Sequence, residues 1–353
     1  MLKQNNGCVE DRLMTARVQF FDTMPDGTPV ERVTIAGGGL TAHILTYGAT
    51  VQDLGLDGIG HPLVLGAQTL APYLGPMTYF GAIVGRFANR IKNGRFYLNG
   101  KFYQIPVNWT DRHALHGGTV GTGQKVWKIG DVSNDSLRLD LALPDGDMGF
   151  PGQMTVSAHF SLPGQGVLAI DIHAQTTAAS PCSFAHHGYF NLDGGADITQ
   201  HQLRVNADRY LPVDADLIPT GEIAPVAGTS FDFGVARTVG TTGIDHNLCL
   251  SDRRESLHQV AELCSPMNGL TMTVDTTEPG LQVYDGAYIP KEGLQGLDGR
   301  RYGPFGGIAL ETQNWPDAPN HPVFPMAILE PGESYLSQTR YRFSRKCNAV
   351  NQN

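Results

Sequence analysis

The chain has 353 residues, with 25 Lys and Arg against 34 Asp and Glu, and a formal net charge of −9 at neutral pH. This acidic balance, without clusters of basic residues, argues against a nucleic-acid partner. No apolar segment approaches the roughly 18 residues that a membrane helix needs, and no basic stretch followed by an apolar run opens the sequence. The five cysteines show no C-x-x-C spacing, so neither a disulfide framework nor a zinc ribbon is indicated. We therefore expect a soluble cytoplasmic protein with no membrane partner.

Glycine and proline are spread over the whole sequence, which is typical of many short strands joined by tight turns. The run GRFYLNGKFYQI places Asn99 and Gly100 between two alternating aromatic-rich segments and predicts a hairpin. The segment 255–265 could form a helix, but a Pro-Met-Asn-Gly turn and a clear strand follow it, so we predict a strand. Alternating apolar and polar residues predict further strands at 136–143, 154–162, 166–177, 270–276 and 341–344.

These elements predict an all-β chain folded as a large antiparallel β-sandwich. We divide it into an N-terminal lead-in over 1–16, one sandwich domain over 17–345, and a C-terminal tail over 346–353. No linker and no repeat of fixed period interrupts the central range. A ligand is expected on the concave face or at the loop rim of the sandwich.

Polar candidates appear first at Asn89 and Arg90, at the end of GRFANRI. They are either a solvated strand end or a donor-rich pair suited to sugar hydroxyls or carboxylates. His113 and His116 follow in HALHGG, spaced as metal ligands can be, but the sequence shows no third ligand. We read the glycine pair as a turn that leaves His116 as a hydrogen-bond donor at a loop tip.

Two adjacent histidines, His186 and His187, lie in SFAHHGYFNL. Neighbouring side chains of a strand point to opposite faces, so both rings cannot reach one pocket. The face of His186 is apolar and predicts core packing, whereas His187 shares its face with Tyr189 and Asn191 and could line a cleft.

Three further candidates lie in the second half of the chain. Asp245 in GIDHNLCL and Gln282 in GLQVYDGAYIP could bind a ligand, cap a turn or face solvent. An apolar strand delivers Glu311 into the loop LETQNWPDAPN. A carboxylate at the end of a buried strand is costly unless it is paired or used, so Glu311 is either a satisfied structural residue or a functional one.

Taken together and in this order, the segments resemble the aldose 1-epimerase family, the galactose mutarotases. The resemblance covers roughly residues 17–345. It rests on YFGAIVGRFANRIKNGRF, LHGG, HHGYFNL, YLPVDADLIPTGEIAPVAGTSFDF, DHNLCL, GLQVYDGAYIP and LETQNWPDAPNHPVFPMAILEPGESY. It implies a single-domain β-sandwich of the galactose mutarotase type, an open cleft for a monosaccharide, and neither a cofactor nor a metal.

The resemblance also implies residue roles. The acid histidine of the family falls on His187 and its base glutamate on Glu311. The hydroxyl-binding positions fall on five residues: Asn89, Arg90, His116, Asp245 and Gln282.

The chain departs from the family pattern in two places beside the site. The family typically shows Thr-Asn-His-Ser where this chain has Ala185, His186, His187 and Gly188. It often shows Gln-Phe-Tyr-Thr-Gly-Asn where this chain has a segment ending in Asp285-Gly286-Ala287. These changes concern sugar preference more than the reaction.

Interconversion of α and β anomers requires a base for the C1 hydroxyl and an acid for the ring oxygen. Glutamate is ionised at neutral pH and an unperturbed histidine titrates near 6.5, so we expect Glu311 as carboxylate and His187 as imidazolium to support each other.

A hexose-6-phosphate 1-epimerase and a non-catalytic carbohydrate-binding sandwich are the alternatives. The preferred aldose, and whether the chain is a monomer or a homodimer, are left open by the sequence.

Overall fold

The computed structural model describes residues 17–345, so the predicted lead-in over 1–16 and the tail over 346–353 lie outside the described residues. Strands dominate this range, joined by turns and by five short 3₁₀ turns at Lys92–Gly94, Thr122–Gln124, Asp147–Gly149, Leu297–Gly299 and Ala318–Asn320. The prediction of an all-β fold is confirmed.

The strands up to residue 190, in chain order, are β1 (Arg17–Thr23), β2 (Pro29–Gly37), β3 (Leu40–Leu45), β4 (Thr50–Leu56), β5 (Ile83–Val84), β6 (Arg90–Ile91), β7 (Arg95–Leu98), β8 (Lys101–Gln104), β9 (Ala114–Leu115), β10 (Lys128–Val132), β11 (Ser136–Leu143), β12 (Met154–Ser161), β13 (Val167–Thr176), β14 (Ser180–Pro181), β15 (Ala185–His186) and β16 (Tyr189–Phe190). The strands after residue 190 are β17 (Gln202–Val205), β18 (Arg209–Tyr210), β19 (Ala224–Pro225), β20 (Arg237–Thr238), β21 (Asp245–Cys249), β22 (His258–Cys264), β23 (Leu270–Thr276), β24 (Gly280–Tyr284), β25 (Leu294–Gln295), β26 (Arg301–Tyr302), β27 (Ile308–Gln313), β28 (Ile328–Leu329) and β29 (Tyr335–Arg345).

Two large antiparallel sheets form the body of the fold. The nine-stranded sheet has the order β10-β11-β12-β13-β29-β23-β22-β17-β20, and the six-stranded sheet has the order β16-β27-β24-β21-β18-β19. A four-stranded sheet, β1 to β4, extends the structure at the start of the chain. All six strands of the six-stranded sheet begin at Tyr189 or later, in the second half of the chain, and this sheet carries most of the site described below.

The two large sheets pack face to face, as expected for a sandwich. The rings of Phe190 and Tyr341, one from each sheet, are 4.8 Å apart, and the Tyr341 hydroxyl donates to the carbonyl of Leu310 at 3.3 Å. The hydroxyls of Thr312 and Thr339 meet across the same interface at 2.6 Å. These polar contacts satisfy groups that would otherwise be buried without partners.

Strand β27 is buried along its whole length, because sheet neighbours cover both its edges and side chains cover both its faces. Successive side chains point to opposite faces of a strand. Ile308 and Leu310 therefore enter the core between the sheets, while Ala309 and Glu311 face the other side, where Ala309 packs with Tyr189. The sheet thereby buries the carboxylate of Glu311.

The strand predictions are confirmed in position. Arg95–Leu98 pairs with Lys101–Gln104, and the turn residues Asn99 and Gly100 both have positive φ, at 48° and 80°. This is the backbone that a two-residue hairpin requires. The ambiguous segment 255–265 forms a strand, His258–Cys264, that pairs with β17 and β23.

Over residues 17–345 the chain forms no helix with the length and hydropathy that a membrane span requires.

Candidate functional site

The centre of the candidate site is a buried pair formed by His187 and Glu311. Glu311 Oε1 lies 3.6 Å from His187 Nε2, and the two residues are 2% and 5% exposed. The backbone of His187 is fixed on both sides, because its N–H donates to the carbonyl of Ala82 and its carbonyl accepts from Gly81, each at 2.9 Å. The carboxyl group of Glu311 and the imidazole of His187 therefore face each other at a distance slightly longer than a direct hydrogen bond.

The adjacent histidines point to opposite sides, as the strand argument predicted. His186 packs against Phe190 and Tyr341 in the core, and its Nδ1 lies 3.3 Å from the Tyr341 hydroxyl. Burial lowers the pKa of His186 to about 3 and thus keeps it neutral. His187 instead faces Glu311 and the ring of Tyr79.

The expected mutual support of two charges at His187 and Glu311 is outweighed by burial. Burial lowers the pKa of His187 to about 4, and burial, aided by the nearby Asp245, raises the pKa of Glu311 well above its usual value. Both effects favour the uncharged forms, because a low-dielectric site penalises each charge separately. The pair is therefore expected to hold one proton over a wide range of pH.

Asp245 joins the hydroxyl-binding candidates into one network. Its Oδ2 accepts from Arg90 at 3.1 Å and its Oδ1 accepts from Gln282 at 2.5 Å. Arg90 also donates to Asn89 Oδ1 at 3.3 Å. Strands β21 and β24 are adjacent and β24 pairs with β27, so the same sheet brings Asp245 and Gln282 beside Glu311.

Several buried polar atoms of this network have no hydrogen-bond partner within the described residues. They are Arg90 Nε, His187 Nδ1, Gln282 Oε1 and Glu311 Oε2. Buried polar atoms are almost always satisfied in folded proteins, and exceptions concentrate where a ligand or solvent completes the set. A donor, a carboxyl oxygen and an amide oxygen of this kind suit a polyhydroxylated ligand.

His116 is locked to Asn89 by a pair of reciprocal hydrogen bonds. The backbone N–H of His116 donates to the backbone carbonyl of Asn89 at 2.9 Å, and the backbone N–H of Asn89 donates to Nδ1 of the His116 ring at 3.1 Å. Both residues have positive φ, at 48° and 62°. Because Nδ1 accepts a hydrogen bond, the neutral ring carries its hydrogen on Nε2, and burial lowers the pKa of His116 well below its usual value. His116 is thus a neutral donor.

Of the two histidines spaced as metal ligands can be, only His116 belongs to a group of possible metal ligands within the described residues, and its partners there are His187 and Glu311, not His113. The ligand atoms of His116, His187 and Glu311 all lie within 4.8 Å of one another, a set that could hold a metal ion by composition. The tautomer of His116 opposes this, since one of its nitrogens accepts a backbone N–H and the other carries hydrogen. The geometry of His116 therefore makes the trio a poor fit for a metal ion.

The structure brings all seven predicted site residues together, and adds aromatic neighbours that the sequence analysis missed. The ring of Tyr79 lies 4.6 Å from His116 and 6.0 Å from His187, and the Tyr79 hydroxyl accepts from Asn108 at 3.3 Å. The Trp109 ring lies 4.5 Å from the Arg90 guanidinium. No spacing rule marks these residues, because each lies far in sequence from most of the residues around the site.

The two departures from the family pattern have structural reasons. A Cβ atom at Gly188 would lie 2.4 Å from the ring of His186, so a large side chain at 186 requires glycine at 188. The buried carboxylate of Asp285 accepts the N–H groups of Gly243 and Ile244, both at 2.9 Å, and of Ala287 at 3.1 Å. Asp285 thus fixes the loop that leads directly into Asp245.

Comparisons with known proteins place the chain among relatives along most of its length. The family model described as aldose 1-epimerase matches residues 31–342. Galactose mutarotase of Mus musculus is 39% identical over 340 residues, covering 93% of this chain and 98% of that protein. Aldose 1-epimerase of Escherichia coli is 32% identical over 337 residues, covering 90% and 96%.

Solved structures show the same fold. An aldose epimerase homologue from C. elegans superposes with a TM-score of 0.83 at 29% identity, covering 89% of this chain and 98% of that one. A galactose 1-epimerase from Lactobacillus acidophilus gives a TM-score of 0.81 at 27% identity, covering 93% and 98%. The resemblance of the sequence motifs is confirmed, and the chain belongs to the aldose 1-epimerase family.

Proposed function

We propose that the chain interconverts the α and β anomers of a free aldose such as galactose or glucose, with Glu311 as the base and His187 as the acid. The observation that carries this proposal is that His187 Nε2 and Glu311 Oε1 face each other at 3.6 Å in a buried site. Polar atoms around them have no hydrogen-bond partner within the described residues. The family of the chain supports the reaction, and a galactose mutarotase among its relatives supports the sugar class.

In the proposed mechanism, Glu311 accepts the proton of the C1 hydroxyl while His187 donates a proton to the ring oxygen. The bond between C1 and the ring oxygen breaks, and a free aldehyde forms. Rotation about the bond between C1 and C2 then presents the other face of the carbonyl. Ring closure reverses both proton transfers and returns Glu311 and His187 to their starting states.

The remaining polar residues would hold the sugar while its C1 end turns. Arg90 and Gln282 present polar atoms that have no partner among residues 17–345, and His116 presents a fixed neutral donor. Asp245 has both oxygens engaged, which suits it to orient Arg90 and Gln282 as well as to contact a hydroxyl. Holding the sugar at several points converts a loose encounter into a productive geometry.

The substitution Glu311→Gln tests the base. Glutamine keeps the size of glutamate but cannot accept the proton, so we expect mutarotation to fall by about 10² to 10⁴ while sugar affinity stays within a few-fold. The paired measurement is the polarimetric rate with freshly dissolved α-galactose and α-glucose, and sugar affinity by calorimetry. Near wild-type mutarotation in the variant would exclude Glu311 as the base.

The same measurements separate the alternatives. A non-catalytic carbohydrate-binding protein would bind sugar without accelerating anomer exchange in the wild type. A hexose-6-phosphate 1-epimerase would be inhibited far more strongly by sugar phosphates than by free sugars. Arg90, the cation of the candidate site, is already paired with Asp245, which disfavours a phosphate there.

We propose a cytoplasmic location and either a monomer or a homodimer, following the sequence analysis. Sedimentation of the purified protein would decide between the two assembly states.

A further inference from the structure

We infer that Trp109 is a positioning residue that orients the guanidinium of Arg90 for sugar binding. This inference deepens the proposed function and rests on it, since it assigns Arg90 to a sugar hydroxyl. Trp109 lies in the loop between β8 and β9 and was not among the residues that the sequence motifs marked.

The guanidinium of Arg90 is held along its edges and on one face. Asn89 Oδ1 accepts from Nη1 at 3.3 Å, and Asp245 Oδ2 accepts from Nη2 at 3.1 Å. The Trp109 ring lies 4.5 Å from the guanidinium carbon, a cation–π contact. Arg90 Nε has no partner within the described residues, so the held group still has a donor to offer.

Trp109 is itself fixed from a second loop. Its indole N–H donates to the carbonyl of Asp216 at 2.7 Å. The Asp216 carboxylate in turn pairs with Arg112, and lies 3.3 Å from His113 Nε2. These contacts clasp the loop between β8 and β9 to the loop between β18 and β19, and the clasp sets the plane of the indole.

The clasp lies directly over the binding network. Leu217 and Pro219, from the same loop as Asp216, line a narrow cavity together with Arg90 and Asp245. The loop that carries Asp216 thus bounds the space beside the guanidinium of Arg90 and limits its movement. Because a long arginine side chain loses much rotamer entropy on being fixed, a clasp that fixes it beforehand lowers the cost of sugar binding.

A purely structural role explains less of the geometry. Trp109 is only half-buried, and its ring packs on a cation of the site while its N–H reaches the other loop. Indoles that serve the core of this protein, such as Trp127 and Trp315, are almost completely buried.

The test is a double-mutant cycle between Trp109→Ala and Arg90→Gln, which removes the cation. In the wild-type background we expect Trp109→Ala to raise KM about tenfold and to change kcat by less than about threefold, because the lost interaction is mainly binding. In the Arg90→Gln background the same change should alter kcat/KM by less than about twofold, since residues that act through one contact are not additive. Trp109→Phe, which keeps a ring over the guanidinium, should recover most of the loss.

A matched control is Phe102→Ala on β8, the strand that precedes the loop of Trp109. Phe102 is 81% exposed and contacts Tyr97 rather than the site, so its removal should leave KM unchanged. An equal loss from Trp109→Ala in both backgrounds, or no loss in the wild type, would overturn the positioning role.

Sugar affinity by calorimetry, measured on the same four proteins of the cycle, separates this inference from the proposed function. If the wild type binds sugar but does not accelerate anomer exchange, the proposed reaction is wrong, while coupling between Trp109 and Arg90 in affinity still supports the positioning role. If mutarotation is present and the coupling is absent, only the positioning role is lost.

Discussion

His187 Nε2 and Glu311 Oε1 lie 3.6 Å apart in a site where burial favours the neutral form of each group. A reaction that needs His187 as imidazolium and Glu311 as carboxylate at the same moment must therefore use the less populated of the two positions of the proton that they share. The neutral pair and the ion pair contain the same number of protons, so pH does not change their ratio. The pair, and not either residue alone, sets the pH range of activity.

A single proton shared by His187 and Glu311 predicts a bell-shaped dependence of kcat/KM on pH. Burial lowers the pKa of His187 to about 4, so below that pH the pair takes up a second proton and Glu311 can no longer act as a base. Burial raises the pKa of Glu311, so activity should persist above the usual glutamate range and fall once the pair loses its last proton. Polarimetric rates, corrected for spontaneous mutarotation, measure this. Activity that only rises with pH, with no alkaline limb, would contradict the shared-proton account.

Substitution of the two adjacent histidines should give unequal losses. His187→Asn removes the acid and should abolish most mutarotation with the fold intact. His186→Asn, which introduces the usual family residue into the core, should keep at least roughly a tenth of the activity, allowing ~1 kcal/mol of disturbance. The check is the polarimetric rate alongside thermal unfolding of each variant. Equal losses in rate would mean that the opposite faces of the two residues do not reflect different roles.

Position 188 should depend on position 186. A Cβ at Gly188 would lie 2.4 Å from the His186 ring, so Gly188→Ser alone should destabilise the protein by about 1–3 kcal/mol through overpacking. In the His186→Asn background, which restores the family pair Asn and Ser, the same change should cost much less. Urea unfolding of the four proteins gives the coupling energy. Additive losses would show that the two departures are independent.

Asp285 should matter for stability and, through Asp245, for sugar affinity. Asp285→Ala leaves three backbone N–H groups without their acceptor, and we expect a loss of about 2 kcal/mol in the free energy of unfolding. Asp285→Asn is the matched control, because its single carbonyl oxygen can still accept from Gly243 and Ile244. Denaturant unfolding and sugar calorimetry measure the two effects. If alanine and asparagine behave alike, the accepted hydrogen bonds are not what the carboxylate contributes.

Much of the fold follows from local patterns. Alternation along Ser136–Leu143 places Leu137 and Leu139 in the core, and the Asn99-Gly100 turn requires positive φ at both positions. Such signals depend on neighbouring residues and can be recognised without the structure.

The seven site residues were predicted from family motifs, and two of them, His187 and Glu311, also from strand faces and burial. The rest of the site depends on pairings between distant segments. Trp109 meets Asp216, and Asp285 meets Gly243, only because the sheets bring their loops together. The charged pair expected for His187 and Glu311 did not take account of burial, which favours the neutral form of each. The depth of burial follows from tertiary packing and cannot be read from neighbouring residues.

Activity should be indifferent to metal chelators, although His116, His187 and Glu311 have ligand atoms close enough to surround an ion. A neutral histidine binds a metal through an unprotonated nitrogen. In His116, Nδ1 accepts the Asn89 N–H at 3.1 Å and Nε2 therefore carries the hydrogen, so neither nitrogen offers a free lone pair. Two remaining ligands, one of them a glutamate held mostly neutral by burial, make a weak site.

The measurement compares mutarotation in EDTA with mutarotation in EDTA already saturated with calcium, which controls for ionic strength. We expect equal rates, and no gain on adding zinc after removal of the chelator, because acid and base side chains suffice for the proposed reaction. Zinc titration by calorimetry on the wild type and on His187→Asn adds a readout independent of activity, with weak or no binding expected in both. Loss of activity in EDTA that zinc restores would show that His116 adopts the other tautomer and that the trio is a metal centre.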